Sequence, residues 1–113
     1  MDALELHGLL QADATQIDLI DVRTPAEVAR GGIPGARNIP LHQVPLVEAE
    51  LENARALVFY CQTGARSAQA CAYLAARGFD SLYNLRGGIL GWLRSGHPAA
   101  DIAAATAAQA DRV

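Results

Sequence analysis

Ala56-Leu57-Val58-Phe59-Tyr60-Cys61-Gln62-Thr63-Gly64-Ala65-Arg66-Ser67 decides how this chain is read. The first six residues are an apolar run of β-forming type, and the next six form a short loop. Ala68 to Arg77 then read as a helix. A thiol at that junction faces the positive end of the helix dipole and a ring of unpaired backbone N–H groups. Both favour a thiolate, the nucleophilic form of cysteine, and Arg66 adds a permanent positive charge nearby. The spacing offers an anion cradle with a nucleophile at its floor, which marks an enzyme.

Working outward, strand-like and helix-like segments alternate. Ile17 to Val22 is a short apolar run suited to a buried strand. Thr24-Pro25-Ala26-Glu27 supplies an N-cap, a proline in the first turn and the acidic capping-box position. That helix is short, because Gly31-Gly32-Ile33-Pro34-Gly35 breaks it. Arg37 to Pro40 reads as a brief strand, Val44 to Leu51 as a helix, Leu82 to Asn84 as a strand, and Ile89 to Ser95 as a last helix. Residues 4–10 form a first one. Such alternation predicts an α/β fold with a mostly parallel sheet and helices on both faces, and ligands beyond the carboxyl ends of the strands. Cys61 lies at such an end. One domain is expected over residues 1–98, followed by an Ala-rich tail, residues 99–113, as a frayed helix or disordered segment.

The chain has 113 residues, enough to bury a core without disulfide or metal staples. All nine basic residues are arginines, scattered singly, so no basic stripe points to nucleic acid or an anionic membrane. Cys71 would sit about 9 Å up the helix from its start, beyond the Cα separation of about 7 Å that a disulfide to Cys61 allows. His7, His42 and His97 are far apart and no Cys-x-x-Cys pair exists, so no metal site is expected. No apolar run reaches the length of a membrane span. The expected setting is the cytoplasm, where a thiol stays free.

Four blocks together resemble the rhodanese family of sulfurtransferases: Leu19 to Glu27, Gly32 to Pro40, Cys61 to Ser67, and Asn84 to Trp92. The resemblance runs from about residue 3 to 98. It implies a parallel sheet of about five strands flanked by helices, with a catalytic loop starting at Cys61. It is closest in character to the single-domain bacterial members. Many members carry Gly-His-Ile-Pro-Gly-Ala where this chain has Gly31 to Ala36, so Gly32 replaces an imidazole. That block reads as structural, and the replacement bears on local stability alone.

Sulfur transfer fits the constellation. The Cys61 thiolate would attack the outer sulfur of a donor such as thiosulfate, and a thiol or cyanide would then accept that sulfur from a Cys61 persulfide. A thiolate formed near neutral pH needs no general base and no cofactor. Gly64 is the residue able to take a positive φ and let N–H groups converge. Arg66 is expected to pair with the donor or orient the loop, Ser67 to cap the helix in preference to donating to the sulfur, and Gln62 and Thr63 to point outward at the mouth beside Ala65. Cys71 reads as a small core residue, on a helix face with Ala68 and Ala75. Asp21 and Arg23 read as an ion pair that holds loops together, Trp92 as packing, and Arg86 as a further field near the loop.

Three alternatives stay open. A sulfur relay to a partner protein would use the same residues. A cysteine phosphatase or arsenate reductase needs an arginine six positions after its cysteine, where this chain has Ser67. A non-catalytic docking module has no use for the nucleophile, which this chain keeps.

Overall fold

The segments read as strands become four strands: β1 (Ile17–Asp21), β2 (Arg37–Asn38), β3 (Ala56–Tyr60) and β4 (Leu82–Asn84). They form one sheet in the order β2-β1-β3-β4, with every pair parallel. The computed structural model describes residues 1–51 and 55–102. Among them the sheet has one strand fewer than the resemblance implies, and the four present are those that the residues themselves mark. Among the described residues a further pairing is an isolated antiparallel bridge between Gly32 and Ala100.

Period-two alternation along β3 sends Leu57, Phe59 and Cys61 to one face of the sheet and Val58 and Tyr60 to the other. Helix α1 (Ala3–Asp13) and α4 (Gly88–Arg94) cover the Tyr60 face with Leu6, Ile89 and Trp92. Helix α3 (Ala65–Ala76) and a 3₁₀ helix (Leu41–Leu51) cover the Cys61 face with Ala70, Leu74, Val44 and Leu51. Both faces are thus buried, which is why β1 and β3 read as apolar runs. The segment expected as an α-helix from Val44 is 3₁₀ instead, with Pro45 inside it. Proline has no N–H to give to an α-helical bond.

Short α2 (Pro25–Val28) forms with the capping box that its sequence announces: the Thr24 hydroxyl accepts from the Glu27 N–H, and the Glu27 carboxylate accepts from the Thr24 N–H. Arg23 and Asp21 form a buried ion pair at 2.6 Å. The same guanidinium donates to the Gly31 carbonyl at 2.7 Å, so the pair ties the end of β1 to the turn that follows α2.

The start of the C-terminal segment belongs to the packed body. Gly32 and Ala100 exchange two backbone hydrogen bonds of 2.8 Å, and Ile102 is buried among the residues of the Tyr60 face. A Cβ on Gly32 would lie 2.6 Å from Ile102 Cδ1 and 2.9 Å from Tyr60 Oη. Packing therefore continues past residue 98, and the missing imidazole is replaced by a side chain from the following segment. The remainder of the expected frayed or disordered tail lies outside the described residues.

Candidate active site

From β1 the chain crosses to β2 on one side, whereas β3 lies on the other. The carboxyl ends of β1 and β3 therefore flank the point where the winding reverses, the place where open parallel sheets leave a crevice. Asp21 and Tyr60 are register partners, and Val22 N–H donates to the Tyr60 carbonyl at 2.9 Å. Cys61 is the next residue out, 1% exposed.

Helix α3 begins at Ala65, three residues earlier than its sequence suggests, with Gly64 as N-cap at φ 112°. That left-handed conformation is the one glycine adopts without strain. It turns the Gly64 N–H back onto Cys61 Sγ at 3.1 Å. Ser67 lies in the first turn of α3, not at its cap, and its buried hydroxyl donates to the same sulfur at 3.4 Å. The expectation that Ser67 caps the helix is thus corrected, because Gly64 already holds that position. Gln62, Thr63 and Ala65 are exposed.

The loop carbonyls are tied away from the sulfur. Ile89 N–H donates to the Cys61 carbonyl at 3.0 Å and Leu90 N–H to the Gln62 carbonyl at 3.2 Å. Asn84 Nδ2 donates to the Gly64 carbonyl at 3.2 Å. With its oxygens held on the outside, the loop presents N–H groups inward. Gly88 permits this close approach: a Cβ there would lie 2.5 Å from the Cys61 carbonyl oxygen and against that of Gln62. The sequence places Asn84 and Gly88 in one motif with Trp92 but does not disclose that they support the loop.

Burial raises the Cys61 thiol, yet the Ser67 hydroxyl and the backbone N–H groups of Ser67, Gly64 and Thr63 outweigh it and hold the thiol below its ordinary value. Arg66 does not point free into the cradle. Its guanidinium holds Glu27 through two bonds of 2.6 and 2.9 Å, and this partner holds the Glu27 carboxyl down to about 2. Glu27 was legible as a capping residue; its second bond reaches 39 residues along the chain. Arg86 pairs with Glu5 at 3.5 Å and Asp2 at 3.9 Å, so its charge serves α1.

Both cysteines are free thiols. The buried face of α3 carries Ser67, Ala70 and Leu74, while Ala68 and Ala75 are exposed and Cys71 is half-buried at the edge. Burial pushes the Cys71 thiol up to about 11, the opposite of Cys61. At neutral pH it is a protonated packing group. Cys71→Ser is expected to keep most activity and lose about 1 kcal/mol of stability by burying a hydroxyl, measured by denaturant unfolding and turnover. A variant as inactive as one lacking Cys61 would make Cys71 a resolving thiol.

A family model described as a rhodanese-like domain matches residues 2–95. A sulfurtransferase of Allochromatium vinosum is 49% identical over 87 residues, covering 77% of this chain and 81% of that protein. The thiosulfate sulfurtransferase GlpE of Stutzerimonas stutzeri is 33% identical over 88 residues, covering 78% of each. The solved structure of the Alr3790 protein from Anabaena superposes with a TM-score of 0.85 at 27% identity, over 98% of this chain and 90% of that one. Domain model, half-identical relative and shared fold span the same stretch that carries the cysteine loop, and the chain belongs to the rhodanese-like domain family.

Proposed function

We propose that this protein is a sulfurtransferase that carries sulfane sulfur as a persulfide on Cys61. The Cys61 thiolate attacks the outer sulfur of a donor such as thiosulfate. The donor's S–S bond breaks, its electron pair leaves with sulfite, and the outer sulfur stays on Cys61. An acceptor thiolate or cyanide then attacks that sulfur, and the electron pair of the S–S bond returns to Cys61. Charge at the sulfur stays anionic throughout, so donors aimed at one point serve every stage.

The observation that carries this reading is the convergence of the Gly64 N–H and the Ser67 hydroxyl on a buried sulfur whose thiol is held low. A cyanide–thiosulfate assay for thiocyanate tests it. Ser67→Ala should raise the Cys61 pKa, because it removes a hydrogen bond that favours the thiolate. The acidic limb of the rate profile should move to higher pH. An unmoved limb would remove Ser67 from the chemistry.

A further inference from the structure

Arg66 interacts electrostatically with Cys61, yet both it and Arg23 are paired with a carboxylate. Arg23 is held by Asp21 at 2.6 Å, and Arg66 by Glu27 at 2.6 and 2.9 Å. Glu27 is itself fixed by the α2 capping box, so it holds Arg66 from a rigid element. Stabilisation of the sulfur therefore comes from N–H and O–H dipoles, which can serve one negative charge but offer no counter-charge to a second. An open groove of about 170 Å³ reaches the loop at Gln62 and is lined by Arg23 and Glu27, with Ile89, Leu90 and Leu93 as apolar lining. Leu93 is 44% exposed. Arg30 on the rim is solvent-exposed, where water and salt screen its charge.

From this arrangement we propose, on the basis of the sulfurtransferase reading above, that Glu27 sets the donor class. By neutralising Arg66 it turns the site toward organic persulfides, which bring at most one charge and an apolar body, and away from the thiosulfate dianion. In the balanced step, the Cys61 thiolate attacks the outer sulfur of R–S–SH and the donor's S–S bond breaks. RS⁻ leaves with the electron pair, and the outer sulfur with its proton stays on Cys61. The groove holds R, for which thiosulfate has no equivalent. Glu27 is a positioning residue: it acts through Arg66. Because its carboxyl is held near 2, the setting stays constant across neutral and mildly acidic pH.

The test is Glu27→Gln in the full-length chain, since glutamine keeps the capping box while releasing Arg66. Single-turnover formation of the Cys61 persulfide is followed by intact mass with thiosulfate and with benzyl persulfide as donors. The thiosulfate-to-benzyl-persulfide rate ratio should rise about tenfold in Glu27→Gln, the equivalent of about 1.4 kcal/mol. The rise should vanish in Glu27→Gln/Arg66→Gln. A ratio within about twofold of wild type, or a rise that survives loss of Arg66, would overturn the proposal. Wild type supplies a readout that no variant can spoil by misfolding: its thiosulfate rate should not fall between about 0.05 and 0.5 M salt, over which the screening length shrinks about threefold. A steep fall would show net positive charge at the site and overturn the proposal. Wild type that takes sulfur from neither donor would overturn the sulfurtransferase reading itself, and the donor assignment with it.

Discussion

Cys61→Ser is expected to bring sulfur transfer down to the uncatalysed rate while leaving the fold in place. A serine hydroxyl has no accessible anion near neutral pH and carries sulfane sulfur poorly. The substitution is nearly isosteric in a site that is 1% exposed. The Gly64 N–H and the Ser67 hydroxyl, which reach the sulfur at 3.1 and 3.4 Å, would find an oxygen acceptor in its place. Unfolding free energy should therefore stay within about 1 kcal/mol of wild type. Thiocyanate formation and denaturant unfolding, measured on one preparation, separate the two effects. Residual turnover above background would move the nucleophile elsewhere.

Gly88→Ala should be the most damaging substitution outside the loop. The residue has φ 57°, and its added Cβ would meet the Cys61 carbonyl oxygen at 2.5 Å and the Gln62 carbonyl carbon at 2.6 Å. Those atoms are backbone and cannot swing aside, so the loop or α4 must move. A displacement of about 1 Å at a catalytic group can lower a rate about a hundredfold. The left-handed backbone alone costs about 1–2 kcal/mol for a residue with a Cβ. Gly78→Ala is the control: φ is 97° there, with nothing within 4 Å of the new Cβ. It should show the stability loss and keep the rate. Equal rates for the two variants would mean that α4 does not shape the loop.

The acid behaviour of the Glu27–Arg66 pair follows from the depressed carboxyl. A carboxylate whose folded pKa lies near 2 against an ordinary 4.5 contributes stability that is fully present above the ordinary value. That contribution is lost as pH falls through about 2. Unfolding midpoints of wild type and Glu27→Gln should therefore differ at neutral pH and converge toward pH 2. Curves that stay parallel down to that pH would mean the pair contributes nothing.

What the sequence disclosed was local. The capping box at Thr24, the four strands and the Cys61 loop each sit within a few residues, where turn chemistry and period leave a readable signal. Tertiary contacts were not disclosed. Arg66 was legible as a cation near a thiol, but its fate depends on Glu27, 39 residues away, whose capping role gave no sign of a second partner. Gly32 read as a lost imidazole because nothing local reveals that Ile102 fills the space. The face of α3 was misjudged by one position in each turn, since an alanine-rich helix offers little apolar contrast to fix its rotation. Gly87 and Gly88 suggested tight packing, yet only the approach of Gly88 to the Cys61 and Gln62 carbonyls shows that it braces the Cys61 loop.

The central claim is a covalent one, and the mass of the protein reports it directly. Reduced protein is incubated with an excess of thiosulfate or an organic persulfide, without acceptor, and weighed intact and after proteolysis. The expected result is a gain of one sulfur atom on the peptide containing Cys61, none on that containing Cys71, and release of the sulfur by cyanide. A mass unchanged by either donor, with Cys61 shown to be reduced, would contradict a persulfide-carrying sulfurtransferase.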